Sequence, residues 1–499
     1  MEALKRLLVG NRSWRQTVLK NSFWQVVAEL VVRGLKVGQF FLIIRYLGPA
    51  SYGSFALAMA FVTLFGIIFD SGLVLTLTRE FARDRDNEQL LGDVIALKSA
   101  LGVLGFAAIW AGSYFFTRDA ALRPMIMVLG ASVFCNEWVN LSFAVLRARQ
   151  RMEFECLVRV VQAIAMFGAV VVVLWRNPSA LNLCVAYLVA ALITLALLLA
   201  PLRRLRGSVK LALRWEVWKH LMRIALPLAL AGGVGSLYMN IDAVMLGWWG
   251  NMKLVGWYDA ADRLSSYATI PMSLLSLVLL PAFASSSLKV DRAFRRRWDQ
   301  WTASMVALAS FSAFALIVGG DWMVTLAFGA KFAPAGPILK IMALTIFLLY
   351  VYSPCYQALI LFDQQGRLFW VLALAMIVNV GLNRVLIPLY GMYGAAWVTV
   401  ATHFFILCGL YLCTVKSTPI RPLNRVLAGA LVGCLLSAGA AFLVMRLAGY
   451  NLWLTMPLGG LVYGLCLFAL IRLDMATGWS AIGGDLEEPL TLGSLEIEA

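Results

Sequence analysis

The sequence is poor in the residues that build metal centres and nucleophilic active sites. It contains two histidines, and its eight cysteines are scattered through apolar stretches without a C-x-x-C pair. Cysteines in such positions are typical of small buried hydrophobes, not of disulfides or metal ligands. The motifs G-x-x-x-x-G-K-[ST] and G-x-S-x-G are absent, which argues against an ATPase module and an α/β-hydrolase. We therefore expect a protein that is not an enzyme and has no cofactor.

Charged residues are also scarce, at 14% of the chain, whereas 62% of the residues are hydrophobic and the mean hydropathy is +0.82. Soluble domains are closer to half apolar, so this composition predicts an integral membrane protein. Acids are outnumbered, with 26 Asp and Glu against 42 Lys and Arg. In a membrane protein this excess belongs in cytoplasmic loops. No soluble segment is long enough to form a nucleic-acid-binding domain.

Apolar stretches long enough to cross a bilayer recur along the chain. On the criterion of about 20 apolar residues per span, the sequence predicts an all-α protein with about 14 transmembrane helices. Lys and Arg concentrate in alternate loops, which the positive-inside rule places in the cytoplasm together with the N-terminus. An even number of spans places the C-terminus there as well. The loops expected on the outer side are short, so no catalytic domain is predicted there.

The first apolar stretch, 23–46, carries three charges near its middle. Glu29, Arg33 and Lys36 are separated by four and then three residues, so they share one helix face. Charges at this depth are costly and usually functional. The pattern predicts a helix that lines a polar cavity. Glu29 and Arg33 are spaced to pair, which leaves Lys36 without a partner on its own helix.

Further ionisable residues lie in other predicted spans, where each costs roughly 2.5–3.5 kcal/mol unless it pairs or meets water. Lys98 is too far from a span end to be interfacial, and with Arg33 and Lys36 it indicates a cavity for an anion such as phosphate. Arg159 lies near an inner span end, where snorkelling to headgroups is the alternative. Asp259 and Arg263 are spaced to form a structural pair. The candidate substrate-binding residues are Arg33, Lys36, Lys98, Arg159 and Arg263, and the candidates for ion coupling or cavity ion pairs are Glu29, Asp70, Asp242 and Asp262.

Two segments about 200 residues apart resemble each other. Gly53-Ser-Phe-Ala-Leu-Ala58 opens the predicted span 53–78, and Gly256-Trp-Tyr-Asp-Ala-Ala261 opens the predicted span 255–284. Both follow a Leu-Gly dipeptide and a span that contains charge. Transporters are often built from such repeats, with the substrate site between them. Chance similarity between apolar turns is the alternative.

Several short motifs, in order along the chain, resemble one protein family. They are similar to motifs of the bacterial oligosaccharide flippases of the polysaccharide transport family, and they extend from about residue 20 to about residue 415. The motifs are Arg45-Tyr-Leu-Gly-Pro-x-x-Tyr-Gly53, Asp70-Ser-Gly-Leu73 with Thr78-Arg-Glu80, Asn240-Ile-Asp-x-Val-Met-Leu-Gly247, Val255-Gly-x-Tyr-x-Ala-Ala261 and Tyr390-Gly-Met-Tyr-Gly-Ala-Ala-Trp397.

This resemblance implies a member of the multidrug/oligosaccharidyl-lipid/polysaccharide exporter superfamily, with two six-helix lobes around a central cavity and two C-terminal helices. It implies an undecaprenyl-diphosphate-linked oligosaccharide as substrate, moved across the bacterial inner membrane by alternating access for O-antigen or exopolysaccharide assembly. Membrane lipids, a polysaccharide polymerase and chain-length proteins are the expected partners. The driving force is open between H⁺, Na⁺ and the membrane potential. On this sequence the cationic cavity falls on Arg33, Lys36 and Lys98.

A peptidoglycan-precursor flippase and a multidrug extruder of the same superfamily are the alternatives in function, and a membrane glycan polymerase or ligase is a third.

The predicted organisation follows from the spans, the repeat and the resemblance together. The predicted segments are a basic cytoplasmic N-terminus (1–21), an N-terminal lobe (22–202), a cytoplasmic linker (203–220), a C-terminal lobe (221–415), two final helices (416–472) and an acidic cytoplasmic tail (473–499).

Overall fold

The computed structural model describes residues 14–70, 72–74, 76–77, 88–116, 119–148, 152–205, 214–249, 251–286, 290–422, 425–447 and 458–466. All regular secondary structure in these ranges is helical, which confirms the predicted all-α class. The helices are α1 (Trp14–Leu47), α2 (Pro49–Leu64), α3 (Gly66–Asp70), α4 (Glu88–Phe116), α5 (Leu122–Ala148), α6 (Met152–Arg176), α7 (Ala180–Leu205), α8 (Trp215–Trp249), α9 (Met252–Tyr267), α10 (Ile270–Ser286), α11 (Arg292–Phe328), a 3₁₀ turn (Ala330–Phe332), α12 (Ala335–Leu361), α13 (Gln365–Tyr390), α14 (Met392–Ser417) and α15 (Arg425–Leu447).

Eight helices in the described ranges, α4 to α7 and α11 to α14, are long and apolar enough to cross a membrane. α1 and α8 have 34 and 35 residues. At about 1.5 Å per residue each is about 50 Å long, which exceeds the hydrocarbon core of a bilayer. Of the charges that the sequence singles out, α1 carries Glu29, Arg33 and Lys36, and α8 carries Asp242. The total of about 14 spans stays a prediction.

Two of the predicted spans, 53–78 and 255–284, are broken rather than continuous helices. The first is divided into α2 and α3, and the second into α9 and α10. Pro271 accounts for the second break, because in a continuous helix its ring would clash with the carbonyl group four residues earlier. At the first break Gly66 begins α3, and glycine is a weak helix former. Each of these two predicted spans therefore contains two successive helices.

The broken spans match each other in detail. α2 and α9 both have 16 residues, and an offset of 203 relates their first residues, Pro49 and Met252, and also their last, Leu64 and Tyr267. The same offset relates Gly53 to Gly256. Each helix follows a helix of 34 or 35 residues. Chance similarity does not account for agreement in bounds, length and break, so the structure supports a true internal repeat.

The chain forms two compact units. The first unit contains Met1–Asp259, Ala327–Phe332 and Asn383–Met392, and the second contains Ala260–Leu326, Ala333–Leu382 and Tyr393–Ala499. The core of the first unit includes Leu97, Leu141 and Leu221, all buried. The second unit contains a buried aromatic cluster of Phe283, Phe294, Trp298 and Trp301. The predicted lobe boundaries stay a prediction.

The end of the predicted linker is attached to α4 in the first unit. Arg214 lies just before α8, and its Nε donates to Oδ2 of Asp93 at 2.9 Å while its backbone N–H donates to Oδ1 at 3.3 Å. Asp93 is fully buried. The hydrogen bonds to Asp93 raise the pKa of Arg214 above its ordinary value. These contacts fix the start of α8 against α4.

Candidate functional site

Five charged side chains form a continuous series of ion pairs in the first unit. We call this series, Arg33–Glu29–Arg159–Glu155–Arg147, the charge ladder. Arg33 Nε lies 2.7 Å from Glu29, Arg159 lies 4.0 Å from Glu29 and 3.2 Å from Glu155, and Arg147 lies 2.6 Å from Glu155. The ladder connects α1, α5 and α6, and α1 packs along α6. The expected contact between Glu29 and Arg33 is present.

Helical spacing and one buried acid position the ladder. Glu29 with Arg33 and Glu155 with Arg159 are both i, i+4 pairs, the separation at which helical side chains meet. Arg147, near the end of α5, holds Glu155 through two hydrogen bonds of 2.6 and 2.7 Å. Glu155 is only 5% exposed, so it is the fixed element of the series. The guanidinium of Arg159 also lies 5.7 Å from the ring centroid of Phe143, within reach of a cation–π contact.

The other end of the ladder is open. The side chains of Glu29, Arg33 and Arg159 are 47%, 42% and 41% exposed. Lys36, one turn further along α1, is exposed, and no residue in the described ranges forms an ion pair with it. Such charges are untenable against lipid tails, so this face requires water or a polar ligand. With three Arg and one Lys against two Glu, the surface carries a surplus of positive charge that suits an anion.

Lys98 does not share this exposed surface. Its side chain is 2% exposed and lies 2.7 Å from a carboxylate oxygen of Glu137. Its Nζ also donates to the backbone carbonyl of Phe69 at 3.1 Å. A buried, paired ammonium group has no open side for a ligand. The structure thus places Lys98 apart from the exposed surface of Arg33 and Lys36, where it links α4 to α5 and α3 through Glu137 and Phe69. The substrate-binding role of Lys98 stays a prediction.

Two buried aspartates, Asp242 and Asp259, accept hydrogen bonds from neutral side chains. Asp242 accepts hydrogen bonds from the hydroxyl of Tyr258 at 3.0 Å and from Nδ2 of Asn383 at 2.6 Å. Asp259 accepts a hydrogen bond from the hydroxyl of Tyr52. Both aspartates are nearly inaccessible to solvent. The network joins α2, α8 and α9 to the end of α13 and places Asp242 in a polar pocket of the first unit.

The remaining candidates lie elsewhere or outside the described residues. Asp262 and Arg263 belong to the part of α9 in the second unit, and both are partly buried and engaged in interactions. The backbone of Asp70 ends α3, but its side chain lies outside the described residues. Within the described ranges, no group of three or more His, Cys, Asp or Glu side chains is placed to hold a metal ion.

Sequence reasoning missed several partners of these residues. Glu155 is four residues before Arg159, so the spacing rule that identified Glu29 and Arg33 would have found it. Arg147 precedes Glu155 by eight residues and lies on the preceding helix, and Asn383 follows Asp242 by 141 residues. No local pattern in the sequence points to either of these two contacts.

The fold is that of the transporters of the multidrug/oligosaccharidyl-lipid/polysaccharide exporter superfamily. A solved structure of the lipid II flippase MurJ in an inward-closed conformation superimposes with a TM-score of 0.73, covering 90% of this chain and 98% of that chain at 14% identity. An inward-facing multidrug resistance transporter of the MATE family gives a TM-score of 0.61, covering 77% and 94% at 14% identity. The chain therefore has the fold of these multi-pass membrane proteins.

The family within this class is defined by sequence. Residues 18–287, more than half of the chain, match the family described as polysaccharide biosynthesis protein. The chain belongs to this family. An uncharacterized membrane protein of Methanocaldococcus jannaschii is 21% identical over 77% of this chain and 95% of its own length. A Shigella flexneri protein with the provisional description O-antigen transporter is 32% identical over 18% of this chain and 21% of its own length. The resemblance found in the motifs is thereby confirmed.

Proposed function

We propose that the chain is a flippase that carries an undecaprenyl-diphosphate-linked oligosaccharide from the cytoplasmic to the outer leaflet of a bacterial inner membrane. The observation that supports this proposal is the open, net-cationic end of the charge ladder, in a chain of the polysaccharide biosynthesis family. Both termini would lie in the cytoplasm. A polysaccharide polymerase and chain-length proteins would act on the exported product.

The chemistry of the ladder suits a diphosphate. Arginine has five N–H donors in a planar fork that matches phosphate oxygens. Arg159 lies 4.0 Å from Glu29, too far for a good hydrogen bond, so it keeps donors for a ligand. Lys36 adds a point charge one turn away on α1. The glycan would remain in the aqueous cavity while the lipid tail stays in the bilayer.

Ion coupling would use one of the four candidate acids. Asp242 is our first choice, because it is buried and accepts hydrogen bonds from the neutral groups of Tyr258 and Asn383. Glu29, Asp70 and Asp262 are the other candidates. A carboxylate in such surroundings would take a proton or coordinate Na⁺ with the help of neighbouring oxygens. Both ions, and the membrane potential acting on the cavity charge, fit the proposal.

The alternatives differ in how well they suit the ladder. A peptidoglycan precursor carries the same lipid diphosphate, so a flippase for it would use the same cationic surface. A multidrug extruder for organic cations would need an acidic surface, and the surplus of arginine and lysine disfavours it. A glycan polymerase or ligase would need a large outer domain, and the predicted outer loops are short.

The test is to deplete the protein in its own host and identify the lipid-linked saccharide that accumulates on the inner leaflet. A peptidoglycan precursor in place of a surface-glycan unit would overturn the proposed substrate. Complementation with Arg33→Ala or Lys36→Ala should leave export blocked although the protein reaches the membrane. Lys36→Arg, which keeps the charge, and Arg176→Ala, at the far end of α6, serve as controls and should restore export. Normal glycan export by both Ala variants would rule out the ladder as the site.

A further inference from the structure

A small cavity of about 200 Å³ opens in the second unit between the end of α10 and the start of α11. Ligand sites for drug-sized molecules occupy about 300–1,000 Å³, so this cavity can enclose only part of a lipid molecule. The lining residues are Leu279, Phe283, Phe294, Arg297, Gln300, Trp301 and Ser304.

The wall of the cavity is a rigid aromatic cluster. Trp301 packs edge-on against Trp298 at 4.9 Å between ring centroids and lies 5.6 Å from Phe283. Trp301 is 2% exposed, and its indole Nε1 has no hydrogen-bond partner within the described part of the chain. This nitrogen has almost no accessible surface, so the cavity presents apolar ring surface and not this donor to a ligand. An apolar chain suits such a wall.

The mouth of the cavity is basic. Arg297 lines it with an exposed side chain, whose Nε donates a long hydrogen bond of 3.4 Å to the carbonyl of Ala293. Arg292 and Arg295 are exposed on the same two turns of α11. Asp291 is occupied as the helix cap, because its carboxylate accepts the backbone N–H of Phe294 at 2.7 Å. The positive-inside pattern places this end of α11 in the cytoplasm, where the leaflet is rich in anionic lipids.

We propose that this cavity binds an anionic phospholipid of the cytoplasmic leaflet. The phosphate would lie on Arg297, and the first part of an acyl chain would pack against Phe283, Phe294 and Trp301. Basic pockets between membrane helices on the cytoplasmic side are typical sites for acidic headgroups. The site is independent of the charge ladder and of the transported substrate.

The test measures lipid binding to the purified, delipidated full-length protein by native mass spectrometry. Phosphatidylglycerol should bind more tightly than phosphatidylcholine with the same acyl chains. Arg297→Gln should weaken phosphatidylglycerol binding about fivefold, the effect of about one basic residue at a membrane surface. The matched variant Arg295→Gln removes the same charge two residues away, outside the cavity, and should have less than about half of this effect. Ser304→Leu fills the cavity and should weaken the binding of both lipids.

Three results would overturn the proposal. Equal binding of the two lipids to the unmodified protein would remove the anionic preference. Equal losses in Arg295→Gln and Arg297→Gln would indicate diffuse surface attraction without a site. Displacement of phosphatidylglycerol by polyprenyl phosphate at lower concentration would assign the cavity to the carrier lipid. Both arginines are exposed, so unchanged thermal unfolding of the variants is expected and serves as the check on folding.

Discussion

Gly53 and Gly256 lie against each other where α2 crosses α9. A methyl group on Gly53 would come within 2.8 Å of the backbone nitrogen of Gly256, and one on Gly256 within 3.1 Å of the nitrogen of Gly53. Each would collide more severely with the carbonyl oxygen of the residue that begins the other helix, Met252 or Pro49. The contact is therefore reciprocal, and the two copies of the internal repeat meet through equivalent residues. Small residues allow this close approach of helices in membranes.

Replacing either glycine with alanine should destabilise the protein. For Gly53→Ala or Gly256→Ala we expect a loss of about 1–3 kcal/mol, because the added methyl group meets backbone that has no space to move. The measurement is the thermal unfolding midpoint of the purified protein. Gly168→Ala in α6 is the control, since a methyl group there has no neighbour within 4 Å. Unchanged stability of both variants would show that the helices separate at no cost.

The buried pair of Lys98 and Glu137 should matter for folding and not for substrate binding. Lys98→Met alone leaves a buried carboxylate unpaired and should cost about 3–5 kcal/mol. The double variant Lys98→Met, Glu137→Leu removes both charges and should recover most of that stability, because replacement of a buried pair by apolar residues is often neutral. Thermal unfolding midpoints measure the effect on stability, and glycan export measures the effect on substrate transport.

Export decides between the two roles of Lys98. If its role is structural, the double variant exports glycan normally. A double variant that is stable and inserted but inactive would return Lys98 to the substrate-binding set.

The two acids of the ladder should respond differently to neutralisation. Glu155→Gln leaves Arg147 and Arg159 without their shared, buried carboxylate, and we expect a loss of about 3–5 kcal/mol. Glu29→Gln removes a half-exposed pair and should cost about 1 kcal/mol or less. Chemical denaturation of the two variants side by side compares these costs. Equal losses of stability in the two variants would contradict the assignment of Glu155 as the fixed element of the ladder.

Asp242→Asn should separate folding from coupling. Asparagine has nearly the same shape: its one side-chain oxygen can accept from Nδ2 of Asn383 while its amide nitrogen donates to the hydroxyl oxygen of Tyr258, so both contacts can persist. The variant should stay folded and lose the dependence of transport on a Na⁺ or H⁺ gradient. Transport in proteoliposomes with each gradient imposed separately provides the readout. Tyr258→Phe removes one hydrogen bond without changing charge, so its transport should still depend on the ion gradient. If transport by Asp242→Asn also still depends on the gradient, Asp242 is not the coupling residue.

The sequence predicts the features of this fold that are local. Hydropathy defines the helical class, and the four-residue spacing of Glu29 and Arg33 predicts their contact. The repeated Gly53 and Gly256 segments point to the duplicated helix, because a glycine required by close packing leaves a visible motif. Contacts between distant helices leave no such pattern. Lys98 and Glu137 are 39 residues apart, and nothing near Lys98 distinguishes a buried partner from a bound anion.

The sequence also does not predict the helix breaks in the two repeated spans. Pro271 lies inside an apolar run, and prolines in membrane helices produce kinks as well as breaks. Only the backbone around Ala268 shows which of the two occurs here. Hydropathy is insensitive to this difference, since both outcomes bury the same side chains.

The pairing within α1 also bears on how the protein enters the membrane. Residue 159 follows residue 33 by 126 positions, so at usual synthesis rates Arg159 appears roughly 6–25 s after Arg33. During that interval Glu29 has Arg33, four residues along its own helix, as a partner. An insertion assay on α1 alone should show less efficient integration for Glu29→Gln than for the unmodified segment, and equal efficiency would refute this role. The pair would thus lower the free-energy cost of inserting the charged helix α1 into the bilayer before Arg159 has been synthesised.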